Sequence, residues 1–330
     1  MRALITGGAG FIGSHLAERM LELGNEVLMI DNLSTGSLDN IGHLKKYDRM
    51  HYFLEPIENR QLLEDLVNEA DIVFHLAAAV GVRLIVESPV RTIETNVNGT
   101  QLVLEAAAKK RKLVFLASTS EVYGKNVNVP FDEEADLVLG PTSKGRWSYA
   151  ASKALDEFLA LAYWKERKLP VVVVRLFNTV GPRQTGRYGM VMPTLIGQAL
   201  AGRPMTVFGT GKQSRCFCDV QDCVEAIVRL ARTDRAVGQV VNVGTDYEVS
   251  IETLAELILE RTRSSSCIAH IPYDQAYEPG FEDMNRRVPS LLKLESLTDF
   301  RPRTALPEII DRVAAYMNEK QRKSLVGVAR

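Results

Sequence analysis

Thr6-Gly7-Gly8-Ala9-Gly10-Phe11-Ile12-Gly13 is the most informative stretch of the chain. Before it, Arg2 to Thr6 is a short apolar run that reads as a strand. After it, Phe11 to Leu23 places Ile12, Leu16, Met20 and Leu23 on one face and predicts a helix. The glycines at 7, 10 and 13 therefore sit in a strand-to-helix turn. Glycine there permits a tight turn, lets the backbone approach a pyrophosphate and allows close helix–strand packing. The helix N-terminus adds free N–H groups and the positive end of its dipole. Glu26 to Asp31 reads as the next strand, with Asp31 at its end. A carboxylate at that point accepts both ribose hydroxyls and repels a 2′-phosphate, so the unit is expected to hold NAD rather than NADP. A glycine-rich turn without a ligand is the blander reading, and the strand, helix and acid together weigh against it.

Short apolar runs continue to alternate with helical patterns. Ile72 to Leu76, Lys112 to Ala117 and Pro170 to Leu176 read as strands. The run Val171-Val172-Val173-Val174 suits a strand buried on both faces. Helical patterns cover about 60–68, 89–109 and 149–168. The alternation predicts an α/β fold, a Rossmann doubly wound parallel sheet. After Asn178 the texture changes to a polar, turn-rich segment from Gly181 onward, then mixed helical and short strand patterns, with helices near 251–261 and 308–320. Val240-Val241-Asn242-Val243 reads as one more sheet strand. The expected division is a cofactor-binding domain over 1–180 with a returning segment near 216–246. A smaller, discontinuous C-terminal substrate domain takes 181–215 and 247–330.

The chain has 330 residues, 40 basic and 41 acidic, and a formal net charge of -1. That balance offers no field for nucleic acid or an anionic membrane, so any anion site is local. No apolar run approaches the roughly 18 residues needed to cross a bilayer, and no leader precedes the first strand. A cytoplasmic enzyme is expected. Of the four cysteines, Cys216, Cys218 and Cys223 lie close together, and Cys267 stands apart. The one-residue gap between Cys216 and Cys218 does not match zinc spacing, so no metal site is expected and buried thiols are the preferred reading. Asn98-Gly99-Thr100 fits a glycosylation pattern but falls in a predicted helix of a cytosolic chain.

Tyr149 and Lys153 are four apart in a helical pattern and so share a face. A free tyrosine, with a pKa near 10, is a poor base at neutral pH. A nearby ammonium stabilises the phenolate, and the pair can then exchange a proton beside a hydride transfer. A chance surface pair is the bland alternative. Weight comes from Ser118-Thr119-Ser120-Glu121 after the preceding strand, because ligands of parallel sheets bind at strand C-terminal ends.

With these pieces the chain resembles the extended short-chain dehydrogenase/reductases, the nucleotide-sugar epimerase/dehydratase family. The matching motifs are Thr6 to Gly13, Asp31-Asn32, His75-Leu76-Ala77-Ala78, Asn96-Val97-Asn98-Gly99-Thr100, Ser118 to Gly124, Tyr149-Ala150-Ala151-Ser152-Lys153 and Arg175 to Arg183. The resemblance implies that Gly7, Gly10, Phe11, Ile12, Gly13, Asp31, Asn32, Leu76, Ala77, Ala78, Asn96, Tyr149 and Lys153 bind NAD. It implies that Tyr149 takes the C4 hydroxyl proton of a UDP-sugar, that Lys153 binds the nicotinamide ribose and tunes Tyr149, and that Thr119 bonds the C4 oxygen. Ser120, Asn178, Arg183, Arg215 and Arg287 would hold substrate, with Arg286 the other candidate at the last position. It further implies a homodimer in which segments 89–109 and 149–168 of two subunits form a four-helix bundle.

Once C4 is a ketone, the neighbouring groups decide the outcome. Without a further acid or base it is reduced from the other face, giving a 4-epimerase. With a C6 carboxylate the intermediate is a β-keto acid, which loses carbon dioxide. Ser120-Glu121 and Gly211 to Phe217 resemble UDP-glucuronate decarboxylases, and Glu121 is the discriminating residue. Decarboxylation to UDP-xylose is the expected reaction. A UDP-glucose or UDP-glucuronate 4-epimerase is the alternative, with Glu121 then a structural carboxylate. A non-catalytic NAD-binding regulator on the same fold is disfavoured by the intact Tyr149–Lys153 pair.

Overall fold

The computed structural model describes residues 1–81, 88–186, 189–272, 275 and 284–328, with side chains of the last helix described to residue 322. Six strands and the helices between them build the first half. The strands are β1 (Arg2–Thr6), β2 (Glu26–Ile30), β3 (Met50–Phe53), β4 (Ile72–His75), β5 (Leu113–Thr119) and β6 (Val171–Leu176). A seventh, β7 (Val240–Val243), returns from the second half. They form one sheet in the order β7-β6-β5-β4-β1-β2-β3, every pair parallel. The order reverses beside β1, between β4 and β2, which opens a crevice at the strand C-terminal ends.

Alternation along the strands feeds two cores. Ala3, Ile5, Val27, Met29, Phe74 and Phe115 point to one face, covered by α1 (Phe11–Glu22) and, later in the chain, Val220–Leu230. Leu4, Leu28, Val73, Leu116, Val171 and Val173 point to the other, covered by α2 (Arg60–Glu69), α3 (Pro89–Ala108) and α4 (Ser148–Arg167). The valine run of β6 is divided between the two cores, as a strand buried on both faces requires.

A third core lies apart from the sheet. It joins Val180, Met192, Leu195, Val207, Phe217, Leu254, Ile258, Ile309 and Val313. Its helices are α5 (Val191–Leu200), α7 (Ile251–Thr262) and α9 (Leu306–Val328), with α6 being the Val220–Leu230 helix on the sheet. One piece of the tail departs from the expected division. Leu291 and Leu294, around α8 (Leu292–Thr298), are buried in the sheet core beside α6 and β7. β3 also escaped the sequence reading: its pattern is Met50-His51-Tyr52-Phe53, an edge strand with His51 and Tyr52 exposed. Among the described residues no helix is long and apolar enough to cross a membrane.

Candidate active site

The glycine turn closes on the loop that follows β4. Gly7 adopts φ +72°, and a Cβ there would lie 2.9 Å from the Ala77 amide nitrogen. A Cβ on Gly13 would lie 2.2 Å from the Gly7 carbonyl oxygen. Neither neighbour is a side chain that could yield. The Asp31 carboxylate accepts hydrogen bonds from the amides of Ala9 at 2.9 Å and Leu33 at 2.7 Å, and burial raises its pKa. It thus ties the glycine turn down while facing the crevice. Ala77 N–H donates to Thr6 Oγ1 at 3.2 Å, which holds the β4 loop to β1.

A cavity of about 730 Å³ runs from this turn across the strand ends to the third core. Gly7, Gly10, Phe11, Ile12, Gly13, Asp31, Asn32, Leu76, Ala77 and Ala78 line its dinucleotide end. A cradle that tolerates no Cβ, at a helix N-terminus with a carboxylate at the second strand end, fits NAD. Asn96 is placed differently from the expectation. It is buried behind the loop, accepting from Ala79 N–H at 2.8 Å and donating to Ser152 Oγ at 3.2 Å. It shapes the cofactor wall without lining it.

Thr119, Ser120, Glu121, Tyr149, Asn178, Arg215 and Arg287 line the other end. Tyr149 lies in the first turn of α4, and its hydroxyl bonds the Thr119 side chain. Burial, then the negative charge of Glu121, pushes its pKa above the ordinary value. Lys153 follows one turn later, but its ammonium does not pair with Tyr149. It donates to Asp156 Oδ2 at 2.7 Å, both side chains buried. Behind them His75 touches Thr6 Oγ1 at 2.8 Å and Thr100 Oγ1 at 3.3 Å. Burial, then the Lys153 charge, pushes His75 down to about 3, so the ring is neutral.

Glu121 sits in the 3-10 turn after β5, with three guanidinium groups around it. Arg287 donates to Oε1 at 2.6 Å, Arg146 faces Oε2 at 2.5 Å, and Arg215 adds its charge. Burial alone would raise the carboxyl; Arg287 and Arg146 more than reverse it, and its pKa falls to about 2. Arg146 was not anticipated. It precedes Tyr149 by three residues, a helical spacing that puts both on one side, and that spacing was the available signal. The structure also separates the two tail arginines. Arg287 enters the cavity, whereas exposed Arg286 pairs with Glu248 at 2.7 Å.

Arg215 is anchored by its donation to the Ser214 carbonyl at 2.7 Å, and Asn178 by its donation to the Cys216 carbonyl at 3.2 Å. Arg183, expected at the substrate, is directed elsewhere. Its guanidinium bonds Glu18 at 2.5 Å and approaches His43 at 3.1 Å on the α1 side, and it does not line the cavity. Glu18 on α1 supplies the nearer counter-charge. Cys216, Cys218 and Cys223 are buried thiols whose pKa burial raises, to about 12 for Cys216 and Cys223.

A dinucleotide cradle that leads through Thr119 and Tyr149 into an arginine-lined pocket defines an NAD-dependent enzyme of the extended short-chain dehydrogenase/reductase class. The chain belongs to the GDP-mannose 4,6 dehydratase family, whose profile matches residues 4–313. Among its relatives, the UDP-N-acetyl-alpha-D-glucosaminuronate decarboxylase of Bacillus cytotoxicus is 42% identical over 96% of this chain and 98% of its own length. The UDP-glucuronic acid decarboxylase 1 of Xenopus tropicalis is 34% identical over 97% of this chain and 72% of its own. The solved UDP-glucuronic acid 4-epimerase of Bacillus cereus, in complex with UDP-glucuronic acid and NAD, superposes with a TM-score of 0.87. It is 28% identical, covering 97% of this chain and all of the other.

Proposed function

We propose that the chain is an NAD-dependent decarboxylase of a UDP-linked uronic acid, with UDP-glucuronate the leading substrate and its 2-acetamido counterpart the next. One observation carries the reading: Arg146, Arg215 and Arg287 face a single carboxylate, Glu121, which lines the same cavity as Tyr149. Three guanidiniums against one carboxylate leave cationic charge to receive an acidic sugar and its diphosphate. The two decarboxylase relatives support the same assignment.

Gly7, Gly10, Phe11, Ile12, Gly13, Asp31, Asn32, Leu76, Ala77 and Ala78 would hold NAD, with Tyr149 and Lys153 at its nicotinamide end. Bound there, NAD would supply the hydride acceptor for oxidation at C4 of the sugar and the hydride donor for its later reduction. Tyr149 accepts the C4 hydroxyl proton while Thr119 holds the oxygen. The resulting C4 ketone lies β to the C6 carboxylate. The C5–C6 bond breaks, carbon dioxide leaves, and the electron pair moves to the C4 oxygen as an enolate. Arg146 and Arg287, fixed by Glu121, present positive charge where that anion forms. C5 takes up a proton, and Tyr149 returns its proton to the C4 oxygen. Ser120, Asn178 and Arg215 orient the sugar and diphosphate.

The cofactor domain takes 1–180 with the return through 216–246, and the sugar-nucleotide domain takes 181–215 and 247–330 less the 291–298 segment. A homodimer is supported by Ile93 on α3 and Leu155 and Phe158 on α4, large apolar residues exposed on two helices that pack together. Such helices would meet their symmetry mates as a four-helix bundle. A cytoplasmic home suits four unpaired cysteines.

Incubation of the purified protein with NAD and each UDP-uronate, followed by mass spectrometry, tests the reaction. Loss of carbon dioxide to give a UDP-pentose or its 2-acetamido analogue is expected. An isomer of unchanged mass would establish the 4-epimerase reading, which the likeness to the Bacillus cereus enzyme supports.

A further inference from the structure

The Lys153–Asp156 pair is unexplained by a tyrosine and a lysine acting alone. The two residues lie one helical turn apart on α4, and their contact of 2.7 Å is closed to solvent on both sides, at 3% and 0% exposure. The Thr100 hydroxyl, from α3, faces the same carboxylate. Asp156 Oδ1 is nevertheless buried without a hydrogen-bond partner, so the carboxylate is under-satisfied where it stands. A buried ion pair contributes little to stability relative to apolar packing, and one on the same helix face as Tyr149, one to two turns along, has a functional rationale.

We propose that Asp156 is a positioning residue for the reaction: it fixes the Lys153 ammonium on the Tyr149 face of α4, one turn from the phenol, offsets part of its charge, and so sets the pH at which Tyr149 accepts a proton. The proposal rests on Tyr149 as the base.

Several groups face Tyr149. Glu121, from the turn after β5, opposes the phenolate; Arg146, ahead of α4, and the Thr119 hydroxyl favour it; Asp156, on α4 itself, opposes it. Arg287 and Arg215 act at one remove through Glu121. His75, from β4, faces Lys153 but is neutral at working pH. Glu121 is already matched by its arginines, which leaves Asp156 as the counter-charge to the ammonium. Removing one negative charge at this range moves a neighbouring pKa by about one unit or more. The direction is downward for Tyr149, because a negative charge that opposes the phenolate is gone.

The test is the pH profile of kcat/KM for the sugar nucleotide at saturating NAD, in wild type, Asp156→Asn, Asp156→Ala and Asp156→Glu. The acid limb is expected about one pH unit lower in the Asn and Ala variants and near its wild-type position in the Glu variant. Phenolate absorbance, taken as the difference from a Tyr149→Phe background, reads the same shift without turnover. An unmoved limb and an unmoved phenolate titration in the Asn and Ala variants would overturn the proposal. So would a Glu variant that shifts as far as the Asn variant, since shape rather than charge would then be at work. Failure of the base reading has a separate signature, retained turnover in Tyr149→Phe.

Discussion

Tyr149 is buried and bonded to Thr119, and its surroundings push its pKa up, so the proposed base role requires the phenolate to form once NAD and substrate fill the site. Replacing it by Phe removes one oxygen and leaves the ring packing. Turnover should fall by about 10³-fold, the range of a lost general base, while NAD binding measured by titration stays within a few-fold of wild type. Arg287→Met removes the guanidinium on Glu121 Oε1 and leaves a buried carboxylate half-paired. Losing one preorganised positive group aimed at charge that develops in the transition state typically costs about 100-fold or more, so turnover of the acidic sugar should fall about 100-fold in the decarboxylation assay. Wild-type rates in that variant would remove Arg287 from the site. The residues of this site were unequally legible. Tyr149 and Lys153 were readable because a four-residue spacing forces one face. The attachment of Lys153 to Asp156 was not, because residues three and four apart compete on that face and only distance separates them. Arg183 misled for a related reason: its motif suggested substrate, but Glu18, 165 residues away in the chain, claims it.

The turn between β1 and α1 works because nothing occupies the space that a side chain would take. Gly13→Ala puts a methyl 2.2 Å from a backbone oxygen, a contact relieved only by moving the helix off the strand. NAD affinity should drop by at least about 100-fold in calorimetry while the variant still folds, since the clash is local to the cradle. Helices α3 and α4 make a different prediction. Phe158, at 68% exposure, and Leu155 project from a helix whose other face is already packed. Phe158→Glu should sediment as a monomer where the wild type sediments as the proposed dimer, with little change in thermal stability; a dimeric variant or a monomeric wild type would remove this interface. Elements with strong periodicity were legible, above all β6 with its four valines and α1 with its apolar stripe. β3 was not, because an edge strand need not alternate cleanly. α8 was not either: a seven-residue helix carries too little pattern to tell which of two cores will take it.

The two sheet cores and the third core meet at the cavity, and ionic bonds run across it. Glu121 hangs from the sheet, Arg146 precedes α4, Arg215 comes from the short strand Ser214–Cys216, and Arg287 comes from the tail. Sequence placed Arg215 and Arg287 near substrate, missed Arg146, and could not show that the three converge on one acid, since convergence depends on how distant segments pack. That convergence makes Glu121 a tie between parts of the chain, with a pH dependence whose sign is fixed. Its carboxyl is depressed from 4.5 to about 2, so its stabilisation is complete above the ordinary value and is lost as pH falls from about 4.5 toward 2. Each proton taken up in that window costs about 1.4 kcal/mol per pH unit. Other carboxylates titrate there too, so the informative quantity is a difference. Glu121→Gln should be less stable than wild type near pH 6, and its stability should fall less steeply between pH 4.5 and 3 in denaturant melts, by up to that slope. Parallel curves for the two proteins would mean that Glu121 titrates normally and that the arginines do not meet on it in solution.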